Sequence, residues 1–143
     1  MHTDFKTRLV AALADDPGVA ALLGEADAVH FRRPAKRVAY PAIIYDYDTE
    51  YAQEPNREGA RKLALRLRLV GPDPDTLDAL QAAMKSLLDE SPSALSTETL
   101  ACQRLRLLRS RMESPGFHDP QSGQTLFATV TEWDAWVFDR SQP

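Results

Sequence analysis

The chain has 143 residues, 43% of them hydrophobic and 27% charged, with a formal net charge of −4. That length suits one domain, in which folding hides about two-thirds of the unfolded surface, so a core can form without disulfides or a structural metal. The acidic balance argues against the sequence-independent phosphate attraction behind most nucleic-acid binding, while leaving room for a local basic patch.

Residues 4–14 read as a short helix, with Phe5, Leu9 and Leu13 four apart and Ala12 beside them. Asp15-Asp16-Pro17-Gly18 breaks it. Val19 to Leu23 form a further turn, and Gly24 is expected to end it in a left-handed cap. Residues 25–39 read as extended or irregular, with a basic cluster at Arg32, Arg33, Lys36 and Arg37. In "YPAIIYDYDTE", Ile43, Tyr45 and Tyr47 alternate with Ile44, Asp46 and Asp48. That is a strand with one apolar and one acidic face. A polar loop spans 50–59, and Tyr51 and Arg57 lie in it.

"RKLALRLRLVGPDPD" places Leu63, Leu65, Leu67 and Leu69 at every second position, with Arg66 and Arg68 between them. This strand, about 60–70, ends at Gly71-Pro72-Asp73-Pro74. Pro74 suits the first turn of a helix with Asp73 as its cap, and Leu77, Leu80, Met84, Leu87 and Leu88 share one face through residue 90. Asp75 and Asp78 favour its positive N-terminal end. "SPSALSTET" reads as a linking loop.

Residues 100–112 fit a helix through Ala101, Leu105, Leu108 and Met112. They fit a strand through Leu105 and Leu107 alternating with Arg104 and Arg106. The strand is preferred because a hairpin partner follows. Residues 113–125 form the connecting loop, dense in Gly, Pro and polar residues, and "TLFATVTEWDAWVF" is the closing strand. The order α, β, β, α, β, β implies an α+β domain: a mainly antiparallel four-stranded sheet with two helices on one face.

In that sheet the leucines pack under the helices. Arg66, Arg68, Arg104 and Arg106 share the other face with Asp46, Asp48 and some of Thr129, Thr131, Glu132 and Asp134. One reading is cross-strand ion pairing on a solvated face. Another is a contact with a second copy or a neighbour, since arginine combines a planar fork with a packing stem. Nucleic acid is a third, diluted by the acids. The loops at 50–59 and 113–125 read either as solvated connections or as contact arms anchored by Tyr51 and Phe117.

No catalytic constellation emerges. The three histidines, His2, His30 and His118, have no metal spacing, and HExxH, CxxC, GxSxG and phosphate-cradling glycine loops are missing. His118-Asp119 is the one base-like pair, and Asp46/Asp48 are more simply explained by charge pairing. The single Cys102 excludes an internal disulfide and reads as a small apolar residue, a catalytic thiol being the alternative. No 18-residue apolar run suggests a membrane span, and the N-terminus lacks a signal-peptide core, so cytoplasmic synthesis and retention are expected. No cofactor, catalytic residue or metal is expected.

The succession "VAALLG", "YPAIIYDY", a polar gap, "ARKLALRLRLVGPDPDTLDALQAAMKSLLD" and an aromatic closing hairpin resembles the tail-terminator, or tail-completion, proteins of long-tailed bacteriophages, over about residues 5–139. Tyr40-Pro41-Ala42-Ile43-Ile44-Tyr45 matches that family's Tyr-Pro-led strand. The resemblance implies a protomer that assembles as a hexameric ring, caps the tail tube and joins the tail to the head-side connector protein, without catalysis. It implies the tail tube protein as partner, DNA passing through the lumen without sequence-specific contact, and a place at the tail–neck junction of a virion. From this sequence the expected contacts are Arg66, Arg68, Arg104 and Arg106 on the sheet and Tyr51, Arg57, Phe117 and His118 in the loops. A head-completion or connector protein of the same neck is the near alternative. A small hydrolase or nuclease using His118 and Asp119 is the distant one.

Overall fold

The computed structural model describes residues 2–25, 28–32, 39–51, 61–120 and 123–139. Helix α1 (His2–Asp15) and the short α2 (Pro17–Ala20) are followed by β1 (Val29–Phe31), β2 (Ala42–Tyr51) and β3 (Arg61–Gly71). Helix α3 (Pro74–Leu88) and a 3-10 turn (Pro92–Leu95) precede the long hairpin of β4 (Leu100–His118) and β5 (Thr125–Asp139).

Local chemistry sets these boundaries. The Asp16 carboxylate accepts from the Val19 N–H (3.0 Å), which opens α2 directly after α1. Asp73 accepts from the Asp75 N–H at 3.0 Å, and Pro74 fills the first turn of α3, where its missing N–H costs nothing. Gly24 departs from expectation. It has no left-handed φ; instead a Cβ there would come within 2.6 Å of the Ala39–Tyr40 backbone, so close approach of two chain segments demands the glycine. The left-handed position after α3 is taken by Glu90, at φ 56°.

Among the described residues the mixed sheet has five strands, in the order β1-β2-β3-β5-β4. The expected four antiparallel strands are present, and β1 adds a fifth that runs parallel to β2, making the sheet mixed. A strand of three residues offers too little periodicity to be read from sequence. The second correction concerns residues 113–125. Strand β4 continues through them to His118, and only 119–124 connect it to β5. Three register shifts, after Cys102, Leu107 and Glu113, let this long ribbon absorb extra residues and bend.

One face of the sheet holds the core. Leu63, Leu65, Leu67 and Leu69 from β3 meet Phe5, Leu9 and Leu13 of α1 and Leu77, Leu80, Met84 and Leu88 of α3. Leu95 of the 3-10 turn and Trp133 of β5 complete the cluster. Thr129 and Thr131 lie on this buried side, opposite Leu69 and Leu67, rather than among the arginines. Thr131 earns its place through its hydroxyl, which donates to Leu67 O and accepts from Trp133 Nε1, both at 2.8 Å.

Replacing Trp133 with Ala is expected to cost about 3–5 kcal/mol through lost burial and a cavity. Thr131→Val is expected to cost about 1–3 kcal/mol, because it orphans a buried indole N–H and a carbonyl. Combined with Trp133→Phe, which removes the donor, its effect should be less than additive. Urea unfolding midpoints of Trp133→Ala, Thr131→Val, Trp133→Phe and the Thr131→Val/Trp133→Phe double variant check this.

Candidate functional site

The opposite face of the sheet is a lattice of charges set by strand register. Across β2, β3, β5 and β4, one row reads Asp46, Arg66, Glu132, Arg109, with signs alternating at each strand. Arg66 Nε lies 2.7 Å from Asp46 Oδ1, and its Nη2 lies 3.4 Å from Asp48 Oδ2. The carboxylates around Arg66 push its already high pKa further up, led by the Asp46 hydrogen bond. Arg109 pairs with Glu132. In the next row Arg68 stands opposite Ile44 and Val130, and reaches Glu113 at 2.8 Å.

Arg104 Nε sits 3.4 Å from Asp134 Oδ2. Asp134 is only 6% exposed, and its other oxygen has no partner among the described residues. Trp136 Nε1, two residues along the same face, is likewise buried and unpartnered. Arg106 faces Asp134 in the ladder, yet neither Arg106 nor Arg111 makes an ion pair among the described residues. A groove of about 490 Å³ crosses this face, lined by Arg32, Arg66, Arg68 and Arg111 against Asp46, Glu113 and Glu132.

The structure therefore brings together Arg66, Arg68, Arg104 and Arg106 as expected, with Glu132 and Asp134 as their acidic neighbours. It also unites Phe117 with Arg68, whose guanidinium lies 5.6 Å from the ring centroid. Phe117 and His118 are exposed residues of β4, opposite Leu126 and Thr125, rather than members of a loop. Tyr51 ends β2 opposite Arg61; its side chain and the whole of Arg57 lie outside the described residues. Arg109, Arg111 and Glu113 were not anticipated on this face. The doublet Leu107-Leu108 carried the signal: the arginines shift from even to odd positions across it, which is how a bulge appears in an alternating strand.

A family model described as tail completion protein gp17 matches residues 7–132. The chain belongs to this family. Tail completion proteins of this kind are virion structural proteins of phage tails, not enzymes. A solved chain titled "Virion of native gene transfer agent (GTA) particle" matches with a TM-score of 0.67 and 17% identity, covering 92% of this chain and 93% of that one. At that identity the likeness is one of fold. No curated protein matches in sequence.

Family membership removes the hydrolase reading of His118 and Asp119. Asp119 is engaged in the hairpin connection, its N–H donating to Gln124 O at 2.8 Å. Among the described residues no group of three or more His, Cys, Asp or Glu side chains is placed to hold a metal, and no helix is long and apolar enough to cross a membrane. Cys102 is buried in the core, and burial pushes its thiol up to about 11.

Two outcomes follow from that thiol. At pH 8 the folded protein should resist thiol reagents, reacting only once unfolded. Its folded pKa exceeds the ordinary value of 9.0, so the contribution to stability is complete below pH 9.0 and is lost as pH rises towards about 11. The buried phenols of Tyr45 and Tyr47, also raised above 10.0, act in the same direction. Unfolding midpoints across alkaline pH, compared with Cys102→Ala, isolate the thiol's share.

Proposed function

We propose that residues 1–143 act as one tail-terminator-like domain whose copies close into a hexameric ring on the finished tail tube. The ring ends tube polymerisation and offers its other side to the head-side connector protein. Its partners are further copies of itself, the tail tube protein and the connector. DNA passes through the lumen without sequence-specific contact. The protein is made in the host cytoplasm and resides at the tail–neck junction.

The observation that carries this reading is the family match over most of the chain. The charged face supports it physically. A surface of fixed, cross-strand ion pairs resists non-specific apolar association while still offering a pattern that a neighbour can match. Contacts between copies or with partners are assigned to Arg66, Arg68, Arg104 and Arg106, with Phe117 and His118 near the hairpin tip. Tyr51 and Arg57 belong to the same proposal. Arg66 and Arg68 already hold carboxylates of their own chain, so a neighbour would compete for them; Arg106 holds none among the described residues.

Purified protein mixed with its tail tube protein is expected to give six-fold rings seated on one end of tubes of limited length, seen by electron microscopy. Mass photometry of the protein alone reports whether rings form without the tube. Rings that ignore tubes and bind portal complexes would move the assignment to the connector. No assembly under any condition would overturn the structural-ring reading.

A further inference from the structure

Strand β4 is covered along one half of its outer edge. The Thr97 N–H donates to Leu100 O at 2.7 Å, and the Cys102 N–H donates to Ser96 Oγ at 3.0 Å. The Glu90 N–H donates to Leu105 O, and the Leu107 N–H donates to the Asp89 carboxylate, both at 2.9 Å. The turn after α3 thus blunts the edge as far as Leu107, and the left-handed backbone of Glu90 aims its N–H there.

Beyond the bulge at Leu108 the surroundings change. Residues 108–112 are exposed one after another, with Leu108 and Met112 at 55% and 43%. Arg109 and Arg111 take up the ladder opposite Glu132 and Val130, so the main-chain groups of Ser110 and Met112 point outward. Helix α3 reaches this stretch through a side chain: Gln81 Nε2 donates to Ser110 Oγ at 2.7 Å, which leaves the Ser110 main chain facing out. An exposed edge with outward N–H and C=O groups is a template for a further strand.

The charges of the edge select a strand that fits it. Arg109, Arg111 and Glu113 lie on the charged face, whereas Ser110 and Met112, opposite Thr131 and Thr129, lie on the helix side. Two copies of this edge joined about a twofold axis run antiparallel, and an outward residue must meet an outward residue. Ser110 opposite itself would set Arg109 against Arg111. Ser110 opposite Met112 would set Arg111 against Arg111. Like charges directly opposite are destabilising. Met112 opposite itself instead sets Arg111 against Glu113 of the second copy, on both sides of the axis. Arg111 makes no ion pair among the described residues, and Glu113, which receives Arg68 at 2.8 Å, is a carboxylate able to accept a second donor. This alignment also places Leu107 opposite Phe117 of the second copy, beyond the register shift after Glu113, so the Asp89 cover of each copy clears the paired residues.

We propose that two free copies pair through the bare half of β4, antiparallel about a twofold axis at Met112. The two sheets then run on as one, with Arg111 of each copy on Glu113 of the other and the two Met112 side chains in contact on the helix side. A contact between identical patches closes at two copies and does not propagate, so it is separate from a ring junction. It covers the edge of the chain before assembly.

Cysteine placed at residue 112 tests the axis. In a Cys102→Ala background, Met112→Cys should form a disulfide-linked dimer on mild oxidation with copper phenanthroline, because residues facing each other in a hydrogen-bonded antiparallel pair have Cα atoms about 5.5 Å apart. Ser110→Cys in the same background should link at least about tenfold less, since Ser110 and its copy stand four residues out of step, roughly 13 Å along the strands. Adding Arg111→Glu to the Met112→Cys chain should cut dimer yield about tenfold, and adding Glu113→Arg as well should restore it. Equal linking at 110 and 112, or linking at 112 that ignores the charge changes, overturns the proposal. Should any variant lose its urea midpoint, hydrogen exchange of the unaltered chain decides: the Ser110 and Met112 amides should slow as protein concentration rises. Exchange that is independent of concentration, or that slows only when tail tube protein is added, overturns the self-pairing. The ring reading is decided by its own assembly experiment in every case.

Discussion

Strand β3 lies at the centre of the sheet, between β2 and β5, and its leucines at 63, 65, 67 and 69 are all buried on one side. Burying four leucines is worth several kcal/mol, far more than any single surface ion pair on this molecule. A slip of one residue would carry all four leucines to the charged side and bring the arginines into the core. The register of β3 is therefore fixed by its apolar side, and its neighbours must align to it. The positions of Asp46 beside Arg66 and of Glu132 beside the same arginine are consequences of that alignment.

The charged face is best understood as register made visible. Each cross-strand pair contributes little in water, yet the alternation along the row from Asp46 to Arg109 would be lost in any other alignment. The pairs thus oppose misalignment more than they add stability. The sequence suggested ion pairing or an interface as alternatives for these arginines. The structure contains the first. Arg66, Arg68, Arg104 and Arg109 have acidic partners within the chain, while Arg106 and Arg111 have none among the described residues.

Much of the fold was legible because its signals are local and repeated. The leucine alternation of β3, the Asp73–Pro74 start of α3 and the Phe5–Leu9–Leu13 face of α1 each recur over enough residues to declare a period. β1 was not legible: three residues carry no period, and its pairing with β2 depends on chain brought from elsewhere. The extent of β4 was hidden for a different reason. Ser114, Pro115 and Gly116 have turn composition, and hydrogen bonding to β5 keeps Phe117 and His118 in the ladder despite it. Composition reports what a segment prefers alone; pairing with a long partner strand overrides that preference.

The sequence by itself determined the α+β class, the buried leucine face, the arginines opposite it and, through resemblance, the tail completion family that the family model then matched. These follow from alternation and order along the chain, which the sequence contains in full. Tertiary structure alone decided which carboxylate meets which arginine, because partners such as Arg68 and Glu113 lie 45 residues apart and meet through the register of β3, β5 and β4. It alone decided that Gly24 serves a close backbone approach, and that Asp89 and Glu90 reach across to the edge of β4. Whether an edge is covered or bare depends on where distant segments come to rest, and no local pattern of residues records that.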